Sequence, residues 1–355
     1  MLRYLIRRLL IAVPTVIVIS LIVFGLLELA PGDPTSQVPL TVPAEVREAI
    51  RESLGVNDPF LQKWSNWARL MMVNEPIHVF EHVTSICIPG SGADEAAKAA
   101  AQAADECAPR SRIISWSSRS DAMDTVYQRL PQTVWVLGLG LLFGFLIAVP
   151  VGTLQAYKQY SLFDNIGTIF TLLGYSVPVF VIGPLFIWLF SVKLGWLPTF
   201  YDTTLDVTWT SLSSIWEQIR QLLMPVTVLT LFNAASFGRF TRGSVLENLN
   251  QSYVRTARSK GLGEFPIVSK HVLRNSMIPV VTLLALQIPG IFAGAIITEN
   301  VFRINGLGQL LLISIRQSDI PMVQSLVFIF AVLVVVFNIL ADVLYGILDP
   351  RIRYD

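Results

Sequence analysis

His78, Glu81 and His82, in the run HVFEH, have the residue types and spacing of a zinc hydrolase centre. They match the H-x-x-E-H pattern, in which two histidines on one helical face grip the metal and the glutamate serves as base. A catalytic zinc also needs a third ligand and a cleft, and the sequence identifies neither. An ordinary surface helix, or a structural metal site using His78, His82 and nearby cysteines, fits the same residues. Cys87 and Cys107 are the only cysteines. In an oxidising compartment their default is a disulfide, with two free thiols as the alternative. An extended lead-in from Cys87 to Ala93 covers up to about 20 Å. A helix from Ala93 to Cys107 returns about 21 Å, so the ring can close. Other chemistry is missing: the chain has no phosphate-cradling G-x-x-x-x-G-K-[ST] loop and no G-x-S-x-G elbow, and His271 is its one further histidine.

The elements that position these residues belong to a membrane protein. Hydrophobic residues make up 53% of the 355 and charged ones only 14%, against about a quarter charged in a soluble domain. The net charge of +1 exerts no general pull on nucleic acid, so only the placement of charge is informative. A spanning helix needs about 20 mainly apolar residues. Stretches near this length, free of acids and bases, run from Leu9 to Leu27, Pro131 to Tyr157, Asn165 to Val192, Gln221 to Gly238, Asn275 to Thr298 and Ile320 to Ala341. The first, behind MLRYLIRR, reads as a retained signal-anchor helix, because it is long and no small-residue cleavage site follows. The spans carry no arginine series, proton relay or TVGYG filter, which weakens readings as a voltage sensor, proton-coupled carrier or selective channel.

Basic residues orient the spans. Arg3, Arg7 and Arg8 precede the first, and Arg239, Arg242, Arg255, Arg258, Lys260, Lys270 and Arg274 crowd the connection between the fourth and fifth. The positive-inside rule places both regions, and with six spans both termini, in the cytoplasm. The chain then divides into an anchor helix (1–30), an outer region (31–130) and a membrane core (131–355). In the outer region, VPAEVREAIRESLG predicts a short helix with Pro43 near its start and Gly55 as its stop. PFLQKWSNWARLMM predicts a second, with Phe60, Trp64, Trp67 and Leu70 or Met71 on one face, lying on the membrane or against the span ends. ADEAAKAAAQAADEC is helical on propensity alone.

Between the fourth and fifth spans lies YVRTARSKGL, Tyr253 to Leu262. Tyr253 to Ser259 predicts a short helix, Gly261 and Gly263 interrupt it, and Phe265 to Leu273 predicts a second amphipathic segment ending near Pro279. Such a stretch serves either as a topology signal touching lipid head groups or as a knob for a partner's groove.

Ordered motifs along nearly the whole chain now carry a resemblance: MLRYLIRRLLIAVPTV with LAPGDP, RLPQTVWV, GYSVPVF, YVRTARSKGL, HVLRNSMIPVV, ENVFRINGLGQLL and DVLYGILDPRIRY. The chain resembles the inner-membrane permease subunits of bacterial ABC importers, in the dipeptide/oligopeptide branch that also includes nickel and glutathione importers. The general permease signature is degenerate: Arg255 and Thr256 replace its first two letters, Ala257 and Gly261 hold their places, and its later Leu-Pro is absent at the usual spacing, with Ile278-Pro279 lying further on.

The resemblance implies an all-α polytopic fold of six transmembrane helices, with a type I importer permease core and an extracytoplasmic insertion at about 73–113. It implies residence in the bacterial inner membrane and a solute pathway shared with a second, homologous permease subunit. Two ATPase subunits that bind ATP and Mg, and an extracytoplasmic solute-binding protein, complete the expected assembly, with no cofactor in this chain. The segment at about 251–263 would be the coupling helix, with Tyr253, Arg255, Thr256, Ala257, Arg258 and Gly261 contacting an ATPase. The competing readings are a membrane metalloprotease built on HVFEH and an ion-coupled secondary carrier.

Overall fold

The computed structural model describes residues 2–29, 42–53, 58–84, 110–202 and 211–348. Among them every regular element is helical, and the one β-bridge joins Ile114 to Asp121. Cys87, Cys107 and the alanine-rich run lie outside the described residues, so the expected disulfide does too.

The helices are α1 (Leu2–Glu28), α2 (Ala44–Ser53), α3 (Phe60–Arg69), α4 (Glu75–Thr84), α5 (Ala122–Tyr157), α6 (Leu162–Ser176), α7 (Val179–Phe186), α8 (Leu212–Leu249), α9 (Ser252–Ser259), α10 (Glu264–Pro266), α11 (Leu273–Phe302), α12 (Leu307–Arg316) and α13 (Ile320–Leu348). Single π-helical turns join α3 to α4 and α10 to α11, and extend α7. Among the described residues, five helical stretches are long and apolar enough to cross a membrane, and a sixth span results if the bent pair α6–α7 is counted as one.

That pair covers the expected stretch from Asn165 to Val192 but is broken in its middle. Its halves meet at 103°. Pro178 has no N–H to donate and disfavours helical backbone in the residue before it, and Val177 is accordingly extended. A departure concerns Phe265 to Leu273, expected to be a separate segment. Helical backbone instead continues from Glu264 through Ile267–Val272 into α11, so the segment is the foot of the fifth span.

The chain forms two compact units, one centred on Arg129–Gln309 and the other on Val13–Gln128 with Leu310–Val332. In the first, α5 and α8 pack closely along a stripe of small residues. An added Cβ at Gly140 would lie 2.6 Å from Leu229, at Gly144 2.5 Å from Asn233, and at Gly152 2.8 Å from the Gly238 carbonyl oxygen. Small residues four apart, with Ala148 between them, let two backbones approach as they do in membrane interfaces. Val136 and Leu137 of α5 and Val228 and Leu229 of α8 fill the adjoining core with Phe302 and Ile304.

In the second unit, the expected aromatic face of α3 packs against span ends. Trp67 meets Phe24 of α1 at 5.8 Å and Phe328 of α13 edge-on at 5.2 Å between ring centroids. Buried Asp319 gathers the segment before α5, accepting hydrogen bonds from the Trp116 and Ser117 amides and from the hydroxyls of Ser115 and Ser117.

Candidate functional site

HVFEH lies on α4, but its glutamate is committed elsewhere. Glu81 is buried and accepts two hydrogen bonds from Arg110, at 2.8 and 3.1 Å. The same hydrogen bonds hold Arg110 above the ordinary arginine pKa, with burial opposing them. The imidazoles of His78 and His82 stand nearly parallel, with ring centroids 6.4 Å apart. Among the described residues no three His, Cys, Asp or Glu side chains are grouped to hold a metal. A turn earlier, Glu75 receives a bidentate pair from Arg112, which also reaches Asp121 and Asp124. Burial would lower the Arg112 pKa, but hydrogen bonds to Glu75 and Asp124 outweigh it and raise the value. These carboxylates therefore clamp α4 to the segment before α5, a structural task that explains the acid in the motif.

The basic stretch forms α9, eight residues long, separated from α8 by a two-residue turn. Its faces differ in kind. Val254 and Ala257 are buried against Ala156 of α5, Val245 of α8, and Ile267 and Val272 at the foot of the fifth span. Tyr253 is half-buried and donates its hydroxyl proton to the Asn248 side-chain oxygen at 2.9 Å. Arg255, Thr256 and Arg258 are exposed on the other side. Arg258 forms a bidentate pair with Glu264 that ties the end of α9 to the start of α10, and the hydrogen bonds to Glu264 raise its pKa.

Gly261 closes the helix. It has φ of +79°, its amide bonds to the Arg258 carbonyl at 2.9 Å, and the Leu262 amide bonds to the Ala257 carbonyl at 3.3 Å. This nested pair is the Schellman ending, which places a left-handed residue just past the helix. A Cβ there would meet nothing within 4 Å. The glycine is thus required for its backbone angle, while the surrounding space is open. Of the residues expected at this site, Ala257 faces inward, Tyr253 packs at the edge, and Arg255, Thr256, Arg258 and Gly261 face outward. Val254 was missed, although an apolar residue three before Ala257 in a basic run is the signal of an anchoring face.

Two motifs far apart in sequence meet elsewhere in the same unit. Glu299 of ENVFRINGLGQLL is fully buried and accepts from the Thr133 hydroxyl of RLPQTVWV at 2.7 Å and from the Gln309 amide at 2.9 Å. The Leu307 amide donates to the same Thr133 hydroxyl at 2.8 Å. Gly306 is needed for close approach, since a Cβ there would lie 2.2 Å from the Glu299 carboxylate. At the basic end, Ser244 of α8 and Ser276 of α11 exchange hydrogen bonds to each other's carbonyls, at 2.9 and 3.3 Å. The foot of the fifth span, α8 and α9 are thereby joined around one small apolar core.

The family described as "Binding-protein-dependent transport system inner membrane component" matches residues 140–354, and its N-terminal counterpart matches residues 1–101. The chain is 34% identical over 355 residues to the oligopeptide transport system permease protein AppB of Bacillus subtilis (strain 168). It is 31% identical over 355 residues to the glutathione transport system permease protein GsiC of Escherichia coli (strain K12), and 29% identical over 370 residues to the dipeptide transport system permease protein DppB of Alkalihalophilus pseudofirmus. Each alignment covers 100% of both chains.

Proposed function

The chain belongs to the family of binding-protein-dependent transport system inner-membrane components, and from that premise we propose how it works. It is the transmembrane permease subunit of an ABC importer. In our reading it forms half of a pathway for peptides or a similar small solute, paired with a second permease. Two ATPase subunits sit on the side carrying Arg239 to Arg274, and a binding protein delivers solute to the opposite side. The chain carries no ATPase motif of its own, so ATP and Mg belong to the partners.

The observation that carries this reading is the division of α9 into an anchored face and an exposed basic face. Val254 and Ala257 join it to the ends of α5, α8 and the fifth span, so a push on its outer face reaches three spans together. Arg255, Thr256 and Arg258 are then the contacts with an ATPase groove. Transmission requires that the ATPase contact differ between two states, because equal binding in both would shift nothing. Both termini lie in the cytoplasm in this arrangement, which requires the bent pair α6–α7 to cross as one broken span.

The test is to purify the complex through a tag on this chain, identify its partners by mass spectrometry, and measure ATP hydrolysis with and without loaded binding protein. Two ATPase chains and stimulated hydrolysis are expected. Transport by this chain alone under an ion gradient would instead mark a secondary carrier, and peptidase activity abolished by His78→Ala would mark a protease.

A further inference from the structure

Arg242 of α8 and Asp164 of α6 form a bidentate ion pair at the end of the unit that carries α9, with contacts of 2.7 and 2.9 Å. Neither residue belongs to any motif read from the sequence. Asp164 is almost wholly buried, and it also accepts the amide of Tyr160, a non-glycine residue held at φ of +64°. Ser161 caps α6 by accepting the Asp164 amide at 3.2 Å. One carboxylate therefore holds the turn into α6, the first turn of that helix and the flank of α8.

The place of Arg242 along α8 gives the pair a consequence. Val245, Leu246 and Leu249, further along the same helix, pack around α9. From Arg242 to the start of α9 is about 15 Å of chain at 1.5 Å per residue, nearly all of it uninterrupted helix. A displacement of α9 is thus carried up α8 as by a rod. The transfer from α8 to α6 is the step in question. Apolar contacts between helices are non-directional and permit sliding, whereas a guanidinium–carboxylate fork fixes two partners in angle and register. The other flank of α6 offers no such fixture. There the Gln155 side chain of α5 presses on Gly167, and neither end of its amide has a hydrogen-bond partner among the described residues. Beyond the short turn that joins it to α5, helix α6 is pinned by the fork to α8, and at its far end it turns through 103° into α7.

We propose that Arg242 and Asp164 are positioning residues that make the broken span α6–α7 follow α8, so that movement received at α9 opens or closes the solute pathway. This inference rests on the transporter reading above and goes beyond it by naming the joint through which the broken span is driven.

The experiment uses the complete complex reconstituted in liposomes, with Arg242→Gln, Asp164→Asn, the double variant and Arg242→Lys. For each, stimulated ATP hydrolysis is measured together with uptake of a labelled pool of di- to pentapeptides and glutathione. Solute moved per ATP should fall about tenfold in each neutral variant, within the roughly 5–150-fold range of typical coupling, while stimulated hydrolysis stays within about twofold. The double variant should be no worse than either single one, because the two residues act as a unit. Arg242→Lys, which keeps the charge but lacks the fork, should fall between. A purely structural pair would lower the amount of assembled complex and leave the ratio per complex unchanged, and that result overturns the proposal. Additive losses in the double variant overturn it too. If a neutral variant does not assemble, Arg242→Lys decides alone, an unchanged ratio being fatal. Transport without ATP in the unaltered complex would instead sink the transporter reading.

Discussion

Replacing Gly261 tests whether α9 must end as it does. The perturbation is a series, Gly261→Asn, Gly261→Ala and Gly261→Val, all of which leave the charge of the segment intact. Because a Cβ at this position meets nothing of this chain within 4 Å, collision within the chain is negligible and the effect inside it comes from φ of +79°. A left-handed conformation costs an ordinary L-residue about 1–2 kcal/mol, less for Asn, whose short polar side chain bonds locally, and more for β-branched Val. That strain lowers the population of the Schellman ending about 5- to 30-fold relative to frayed alternatives. With the ending lost, the Arg258 and Ala257 carbonyls lose their partners, and the approach to Glu264 and α10 is no longer directed. The assay is ATP hydrolysis by the reconstituted complex with and without loaded binding protein, after confirming equal membrane assembly. Stimulation should fall in the order Gly, Asn, Ala, Val. Unchanged stimulation in Gly261→Val would refute the requirement for this glycine, and equal losses in Asn and Val would refute the conformational explanation.

Three further outcomes are expected. Single cysteines at positions 3, 258 and 353, in a cysteine-free background, should resist an impermeant reagent applied to intact cells. Labelling at positions 258 and 353, but not at 3, would mean that the bent pair α6–α7 re-enters without crossing. Cys87 and Cys107 should appear in one cross-linked peptide pair after non-reducing digestion of protein from its native membrane, and full alkylation of both without reductant would exclude the bridge. Gly144→Leu should destabilise the purified protein by about 1–3 kcal/mol through overpacking against Asn233. Gly138→Ala, whose Cβ meets nothing within 4 Å in the interior of α5, should not lower the unfolding temperature and should gain about 0.5–1 kcal/mol.

Much of the architecture was legible in the residues alone. Apolar length determined which segments cross the membrane, because a bilayer of fixed thickness demands a fixed run of apolar residues whatever their neighbours. The same local logic placed α2, α3 and α9 and the stop at Gly261, since caps, prolines and glycines act on the few residues around them. Local logic also has limits. HVFEH has the letters of a metal site, yet Glu81 and Glu75 serve Arg110 and Arg112, partners 29 and 37 residues away that spacing cannot announce. The bend at Pro178 was not read from the sequence, and its angle of 103° depends on what packs against α6 and α7. The inward turn of Val254 and Ala257, the meeting of Thr133 with Glu299, and the fork between Asp164 and Arg242 were decided only by tertiary structure. Each joins groups distant in the chain, and the strength of a polar contact depends on burial and angle, which exist only once the helices have packed.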